Sequence, residues 1–222
     1  MDCTLIELDP RAISDPEPLR VCLSEAEQQR LSHFRAESPR REFLLSRVLL
    51  RHTLGLHLGL PPAQVPLLRS PQGKPYLPDT PLHINLTHTQ GCIALALCAA
   101  APIGVDVEWL ARPVRPHLAS RFFSPQEIAE LEAHPQAEAR AQHFLHLWTL
   151  KEAWWKAHDP PYDFDMTALT LRWHPLRLCD AAGQPQGSLE SWTTAEHRYA
   201  LAVTTPQVTL RVERQPFRLM GL

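Results

Sequence analysis

The chain has no basic excess. Its 22 Lys and Arg stand against 24 Asp and Glu, for a net charge of −2 with histidine neutral. Duplex nucleic-acid binders carry a marked cationic surplus, so overall charge argues against that class and leaves only a local basic patch open. There is no cysteine pairing pattern either. Five thiols at 3, 22, 92, 98 and 179, an odd number without a CxxC, read as reduced, buried cysteines. No apolar run is long enough for a bilayer, because the longest, about residues 93 to 105, is broken by Pro102 and Gly104. The start, MDCTLIELDPR, lacks the basic and apolar regions of a secretory signal. These absences give the expectation of a soluble, cytoplasmic protein without a membrane partner. What is present is a core: 44% apolar and 21% charged residues over 222 positions suit one large globular domain or two small ones. The 22 prolines lie mostly at segment edges, the mark of rigid loops rather than a disordered tail.

Periodicity predicts a strand over residues 4–9 and helices over 23–34 and 39–56. The first helix has Ser24 and Glu27 at capping-box spacing, and the second has Pro39 near its first position. Residues 65–78 read as a strand running into a Pro/Gly turn, 82–97 as two strands about Gln90-Gly91, and 103–110 as another strand. A short capped helix follows over 124–135, then a long helix over 137–158 that Asp159-Pro160-Pro161 must stop. Strands at 166–173, 189–194, 197–204 and 208–213 complete the chain.

This order repeats. LSEAEQQRL (23–31) parallels FSPQEIAEL (123–131), CIALALCAA (92–100) parallels RYALAVTTP (198–206), and Phe43 opens the apolar stretch of one long helix as Phe144 does the other. Two similar α+β halves, 1–102 and 103–222, related by a pseudo-two-fold axis, are therefore expected. Such a pair has a cleft between its halves, a common place for a small ligand. In this pairing Arg47 and Arg51 stand where the second half has Trp148 and Glu152. The acid and the tryptophan are departures from the repeat, and departures are where chemistry belongs.

Four stretches carry candidate chemistry. In VDVE (105–108), strand alternation sends Asp106 and Glu108 to one face and the valines to the other. Neighbouring carboxylates repel unless a cation sits between them, and their hard oxygens suit Mg²⁺. Taken alone, this spacing is an ordinary solvated strand face. In HLWTLKEAWWKA (146–157), Glu152 and Lys156 share a helix face with Trp148 one turn earlier. The plain alternative is a surface ion pair worth roughly a few tenths of a kcal/mol. In RSPQGKP (69–75), Arg69 and Lys74 flank a turn so that both cations can reach one anion; by itself it is a solvated turn. In NLTH (85–88), Asn85 and Thr87 share a strand face and His88 sits at its end, where a lone histidine is more often a satisfied polar residue than a catalyst.

Taken in order, GKP, NLTH, PIGVDVE, F-F-S-x-x-E and LWTLKEAWWK closely resemble the 4′-phosphopantetheinyl transferases of the long, pseudo-dimeric type, over about residues 23 to 172. The resemblance implies that family's fold and its reaction. The phosphopantetheine arm of coenzyme A passes to a serine of an apo acyl or peptidyl carrier protein, with release of adenosine 3′,5′-bisphosphate, and the enzyme is a monomeric pseudo-dimer. It implies Asp106, Glu108 and Glu152 as ligands of Mg²⁺ (or Mn²⁺), Lys156 on the same phosphates, and Glu152 as acceptor of the serine proton. It implies Arg69, Lys74 and His88 at coenzyme A phosphates with Thr87 beside them, Arg30 near the 3′-phosphate, and Lys151 facing the nucleotide. Trp148, helped by Trp155, holds the helix in place. The family has an acid at Glu127, where a place near the metal competes with a helix cap; the capping-box spacing, matched by Glu27, favours the cap.

Departures from the family pattern carry their own expectations. One of the Trp154–Trp155 pair is expected to be exposed to the carrier. HDPPYDF, where relatives have a Gly-rich turn, is expected to be a stiffer loop. Basic side chains that would steer an acidic carrier are Arg112, Arg115 and Arg121, or Arg40 and Arg41. Rival readings are a non-catalytic coenzyme A or carrier-binding protein, which should have lost one of the three acids, and a metal-dependent coenzyme A pyrophosphate hydrolase, which should cluster the twelve histidines that here are scattered. A helical interaction module is opposed by the strand content.

Overall fold

The computed structural model describes residues 1–219. Strand β1 (Asp2–Leu8) leads to helices α1 (Glu25–Ser32) and α2 (Glu37–Leu58). A small hairpin, β2 (Leu68–Arg69) and β3 (Pro75–Tyr76), precedes strands β4 (His83–Thr89) and β5 (Cys92–Cys98). The second part runs through β6 (Ile103–Trp109), α3 (Ala119–Phe122), α4 (Pro125–Glu132) and α5 (Ala137–His158). It ends with β7 (Thr170–Trp173), β8 (Leu176–Cys179), β9 (Ser188–Thr193), β10 (His197–Val203) and β11 (Arg211–Pro216).

The helices obey the sequence signals closely. Ser24 and Ser124 cap α1 and α4; each hydroxyl accepts the N–H of the glutamate three residues on, whose carboxylate returns to the serine N–H. Two orphan donors are satisfied at each start. Pro39 is the third residue of α2 rather than the first, because the helix opens at Glu37. No partner is lost there, since first-turn N–H groups have none. Helices α2 and α5 both have 22 residues and both end on a left-handed residue, Gly59 and Asp159.

Helix starts in the two halves lie one hundred residues apart, which corrects the pairing read from the sequence by one position. Arg51 matches Lys151, and Glu152 matches His52. A shared ion pair accounts for this register: Glu27 holds Arg51 in the first half, and Glu127 holds Lys151 in the second.

The strands form a four-stranded sheet ordered β11-β1-β5-β4, a three-stranded sheet ordered β6-β10-β9, and two two-stranded ladders. Alternation sorts the side chains of the larger sheet. Leu8, Ile93 and Leu95 meet Leu45, Leu49 and Leu54 of α2, while Cys3, Leu5, Ala94 and Ala96 meet Val105, Val107, Tyr199 and Leu201 of the smaller sheet. On the far face of that sheet, Ala200 and Ala202 meet Leu147, Leu150, Ala153 and Ala157 of α5. The layers are thus helix, sheet, sheet, helix, the two-fold α+β arrangement expected from the repeat.

Some strands differ from expectation. Residues 65–78 give only the two short strands of a hairpin. Strand β7 starts late because Met166–Ala168 form a 3-10 turn, and β8, only four residues long, is new. Strand β11 begins at Arg211 and pairs in parallel with β1, so the end of the chain completes the first sheet. No helix among the described residues is long and apolar enough to cross a membrane.

Candidate active site at the seam between the sheets

Strands β4 and β6 belong to different sheets, and side chains bridge them. Asn85, Thr87 and Thr89 share one face of β4. Asn85 Oδ1 accepts the Val105 N–H at 2.9 Å, and Thr89 Oγ1 accepts the Trp109 N–H at 3.3 Å. Between them Thr87 Oγ1 donates to Asp106 Oδ1 at 3.3 Å. The NLTH motif is therefore first a seam, with every second residue reaching across it.

Gly104, Asp106 and Glu108 share the opposite register on β6, the face that α5 covers. A Cβ on Gly104 would lie 2.1 Å from the Ala153 carbonyl oxygen and 2.3 Å from the Ala157 nitrogen. Only glycine allows this approach, and it brings α5 down onto β6 with Glu152 and Lys156 over the acids. Lys156 Nζ donates to Asp106 Oδ1 at 2.6 Å and to Thr87 Oγ1 at 3.2 Å. Glu108 is held by the Arg112 guanidinium. Strand periodicity passes over Gly104; the signal for it is a glycine inside an otherwise good strand.

The electrostatics follow from burial. Asp106 is 4% exposed, and its Oδ2 has no hydrogen-bond partner among the described residues. Burial pushes the Asp106 carboxyl up against the opposing pull of Lys156. Glu108 is raised by burial and by the Asp106 charge, with Arg112 opposing. Glu152 is raised by burial, with Lys156 opposing and the other two acids adding. For Lys156, burial disfavours the charge, but Asp106 and Glu152 outweigh it and its pKa is raised. Three mutually repelling carboxylates with an orphaned oxygen fit a hard divalent cation. The closed cage is not drawn together: no three His, Cys, Asp or Glu side chains among the described residues stand close enough to hold an ion. Lys156 and Arg112 occupy oxygens of Asp106 and Glu108 instead.

Other expected site residues lie elsewhere. Lys151 is 2% exposed; its ammonium donates to the carbonyls of Phe122 at 2.8 Å, Met166 at 3.2 Å and Leu169 at 2.8 Å, and pairs with Glu127 at 2.6 Å. Its three protons are engaged by the core, not presented to a nucleotide in this structure. Glu127, 0% exposed, caps α4 and also accepts the Leu171 N–H at 2.8 Å, so its oxygens are taken up by the fold. Arg69 and Lys74 do not converge on one anion. Arg69 folds back onto the Gly73 carbonyl at 2.7 Å, whereas Lys74 reaches the C-terminus of α5.

Thr87 and His88 leave β4 on opposite faces, and His88 pairs with Glu42 of α2 at 3.2 Å. Arg30 stands over the Phe43 ring and, with Arg69, lines a cavity of about 280 Å³ in the first half. Arg47, which sequence reasoning did not place in a site, lines it as well; burial and its guanidinium neighbours depress its pKa to about 10, though Glu27 opposes them.

Trp148 packs edge-on against Phe122 and stacks on Phe144. Neither tryptophan of the adjacent pair is exposed: Trp154 is buried and donates to the Gln186 carbonyl, and Trp155 packs on Phe164. Arg40 and Arg41 are engaged by Glu17 and by the carbonyls of Pro10 and Ile13. Arg115 and Arg121 are exposed.

Comparison with known proteins decides the family. Residues 16–99 match the model described as 4′-phosphopantetheinyl transferase, N-terminal, and residues 102–204 match that of the 4′-phosphopantetheinyl transferase superfamily. The 4′-phosphopantetheinyl transferase psf-1 of Bacillus pumilus is 32% identical over 165 residues, 74% of this chain and 70% of the relative. The chain belongs to the 4′-phosphopantetheinyl transferase superfamily. The transferase is also 39% identical over 153 residues to 4′-phosphopantetheinyl transferase HetI of Nostoc, covering 65% of this chain and 62% of the relative. With 4′-phosphopantetheinyl transferase AcpT of Escherichia coli K12 it shares 38% over 125 residues, 53% of this chain and 57% of the relative. The two family models meet just before β6, so the transferase has its candidate site where they join.

Proposed function

We propose that the chain transfers the 4′-phosphopantetheine arm of coenzyme A to a serine of an apo acyl or peptidyl carrier protein and releases adenosine 3′,5′-bisphosphate. The observation that carries this reading is the set Asp106, Glu108 and Glu152, buried or half-buried around Lys156 at the seam between the halves. The carrier serine oxygen attacks the diphosphate phosphorus next to the pantetheine, and the bond to the bridging oxygen breaks. Charge gathers on the bisphosphate, so catalysis is chiefly positioning and neutralisation. Lys156 turns from Asp106 to the diphosphate and donates to its oxygens. Glu152, whose proton affinity burial has raised, accepts the serine proton. A Mg²⁺ (or Mn²⁺) ion held by the three acids supplies further neutralisation of the diphosphate when bound.

The basic cavity of Arg30, Arg47 and Arg69 receives the nucleotide phosphates. Arg115 and Arg121 face the acidic carrier. In this reading the protein is monomeric and cytoplasmic, with halves 1–102 and 103–222.

The test is the intact mass of a purified apo acyl carrier protein after incubation with this protein, coenzyme A and Mg²⁺. A gain of one phosphopantetheine arm that is lost with Glu152→Ala is the expected result. Coenzyme A binding with every apo carrier unmodified would instead favour the non-catalytic reading. Cleavage of coenzyme A without modification would favour the hydrolase.

A further inference from the structure

We infer that Lys74 is a positioning residue that holds the catalytic end of α5, rather than a ligand of coenzyme A phosphates; the inference rests on the transfer reaction proposed above. Its Nζ lies among three carbonyl oxygens, those of Ile103 at 3.1 Å, Ala157 at 3.2 Å and Lys156 itself. An ammonium has three protons and no acceptor. Three protons and three carbonyls leave none for a phosphate.

The acceptors explain the role. The last carbonyls of a helix have no partner within it and carry the negative end of its dipole. In α5 the Trp155 carbonyl takes the Asp159 N–H at 2.9 Å, and Lys74 takes the next two. The third acceptor, Ile103, opens β6 just before Gly104, where α5 presses closest. One ammonium thus ties the first half to both elements that carry the acids.

The turn that presents Lys74 is built for the task. Ser70 N–H donates to the Lys74 carbonyl at 2.8 Å, Ser70 Oγ accepts the Lys74 N–H at 3.1 Å, and Arg69 ties off Gly73. From the other side Tyr162 Oη donates to the Gln72 carbonyl at 2.9 Å, joining the loop after α5 to the same turn. Because the Lys156 carbonyl is gripped directly, displacement of the turn moves the ammonium that must pass from Asp106 to the diphosphate.

Two substitutions separate the roles. Lys74→Met removes donors and charge, while Lys74→Gln keeps two N–H donors for the carbonyls but offers no charge to a phosphate. With coenzyme A varied at saturating apo carrier, kcat should fall about tenfold in Lys74→Met and partly recover in Lys74→Gln, with KM for coenzyme A within about twofold in both. A KM raised about tenfold alike in both variants, with kcat held, would overturn the assignment. Hydrogen exchange at the end of α5 and the Asp159 cap gives a readout that needs no turnover. It should quicken about tenfold in Lys74→Met and less in Lys74→Gln, with α4 unchanged. If the wild-type protein transfers nothing, the proposed reaction fails, and unaltered exchange in both variants would separately sink the role of Lys74.

Discussion

Replacing Lys151 with methionine tests whether this lysine belongs to the fold or to the substrate. Methionine matches the stem of the side chain but leaves Glu127, 0% exposed, without its cation, and the carbonyls of Phe122, Met166 and Leu169 without their donor. Breaking one side of a buried ion pair costs about 3–5 kcal/mol. For a chain of this size each kcal/mol lowers Tm by about 2–4 °C, so the variant should melt roughly 6–20 °C below wild type. Against a total stability of about 5–15 kcal/mol, that is a large fraction. Thermal and urea unfolding would measure it, alongside calorimetric coenzyme A binding at a temperature where both proteins are folded. Binding should stay within about twofold of wild type, because no Lys151 proton is left for a ligand. Adding Glu127→Leu should cost less than the sum of the single changes, since the two residues are coupled. An unchanged Tm with coenzyme A affinity lowered about tenfold would refute this reasoning and return Lys151 to the nucleotide site.

Further outcomes follow from the same geometry. Glu152→Gln should abolish transfer yet raise the Tm of the metal-free protein at neutral pH. The Glu152 pKa is raised in the fold, so the native state holds its proton more tightly than the unfolded chain does. Its favourable contribution is complete below the unfolded value and disappears as pH climbs through the folded one; glutamine removes that loss, and a Tm unchanged or lowered at pH 7 would contradict it. Gly104→Ala should destabilise the protein by about 2 kcal/mol or more or lift α5 from β6, seen as a lower urea midpoint together with lost transfer. All five thiols are buried, and burial raises those of Cys22 and Cys92, the latter to about 11. Native protein at pH 8 should therefore react with Ellman's reagent only slowly, and all five should react at once in guanidinium. Adding Mg²⁺ should raise Tm, and Asp106→Asn should diminish that rise.

Local signals carried much of this protein. Capping boxes at Ser24 and Ser124, the helix stop at Asp159, and the turn at Gln90-Gly91 are short-range chemistry, and the backbone follows them. The alternation of β6 likewise put Asp106 and Glu108 on one face before any fold was known. The sequence by itself therefore determined the two long helices and the two capped short ones, most strands, the existence of the repeat and the family, because each depends on neighbours within a few turns or on an ordered set of motifs. Only the tertiary structure decided what the charges do. Lys151 and Glu152 are adjacent on one helix, yet one side chain enters a sealed core and the other faces the acids. Lys74 reads as an anion ligand until its three carbonyl partners, supplied by two distant elements, are seen around it. The crossing of β11 onto β1 and the close approach at Gly104 are decided the same way. Hydrogen-bond satisfaction and close packing are settled between segments far apart in the chain, and no window of sequence contains both partners.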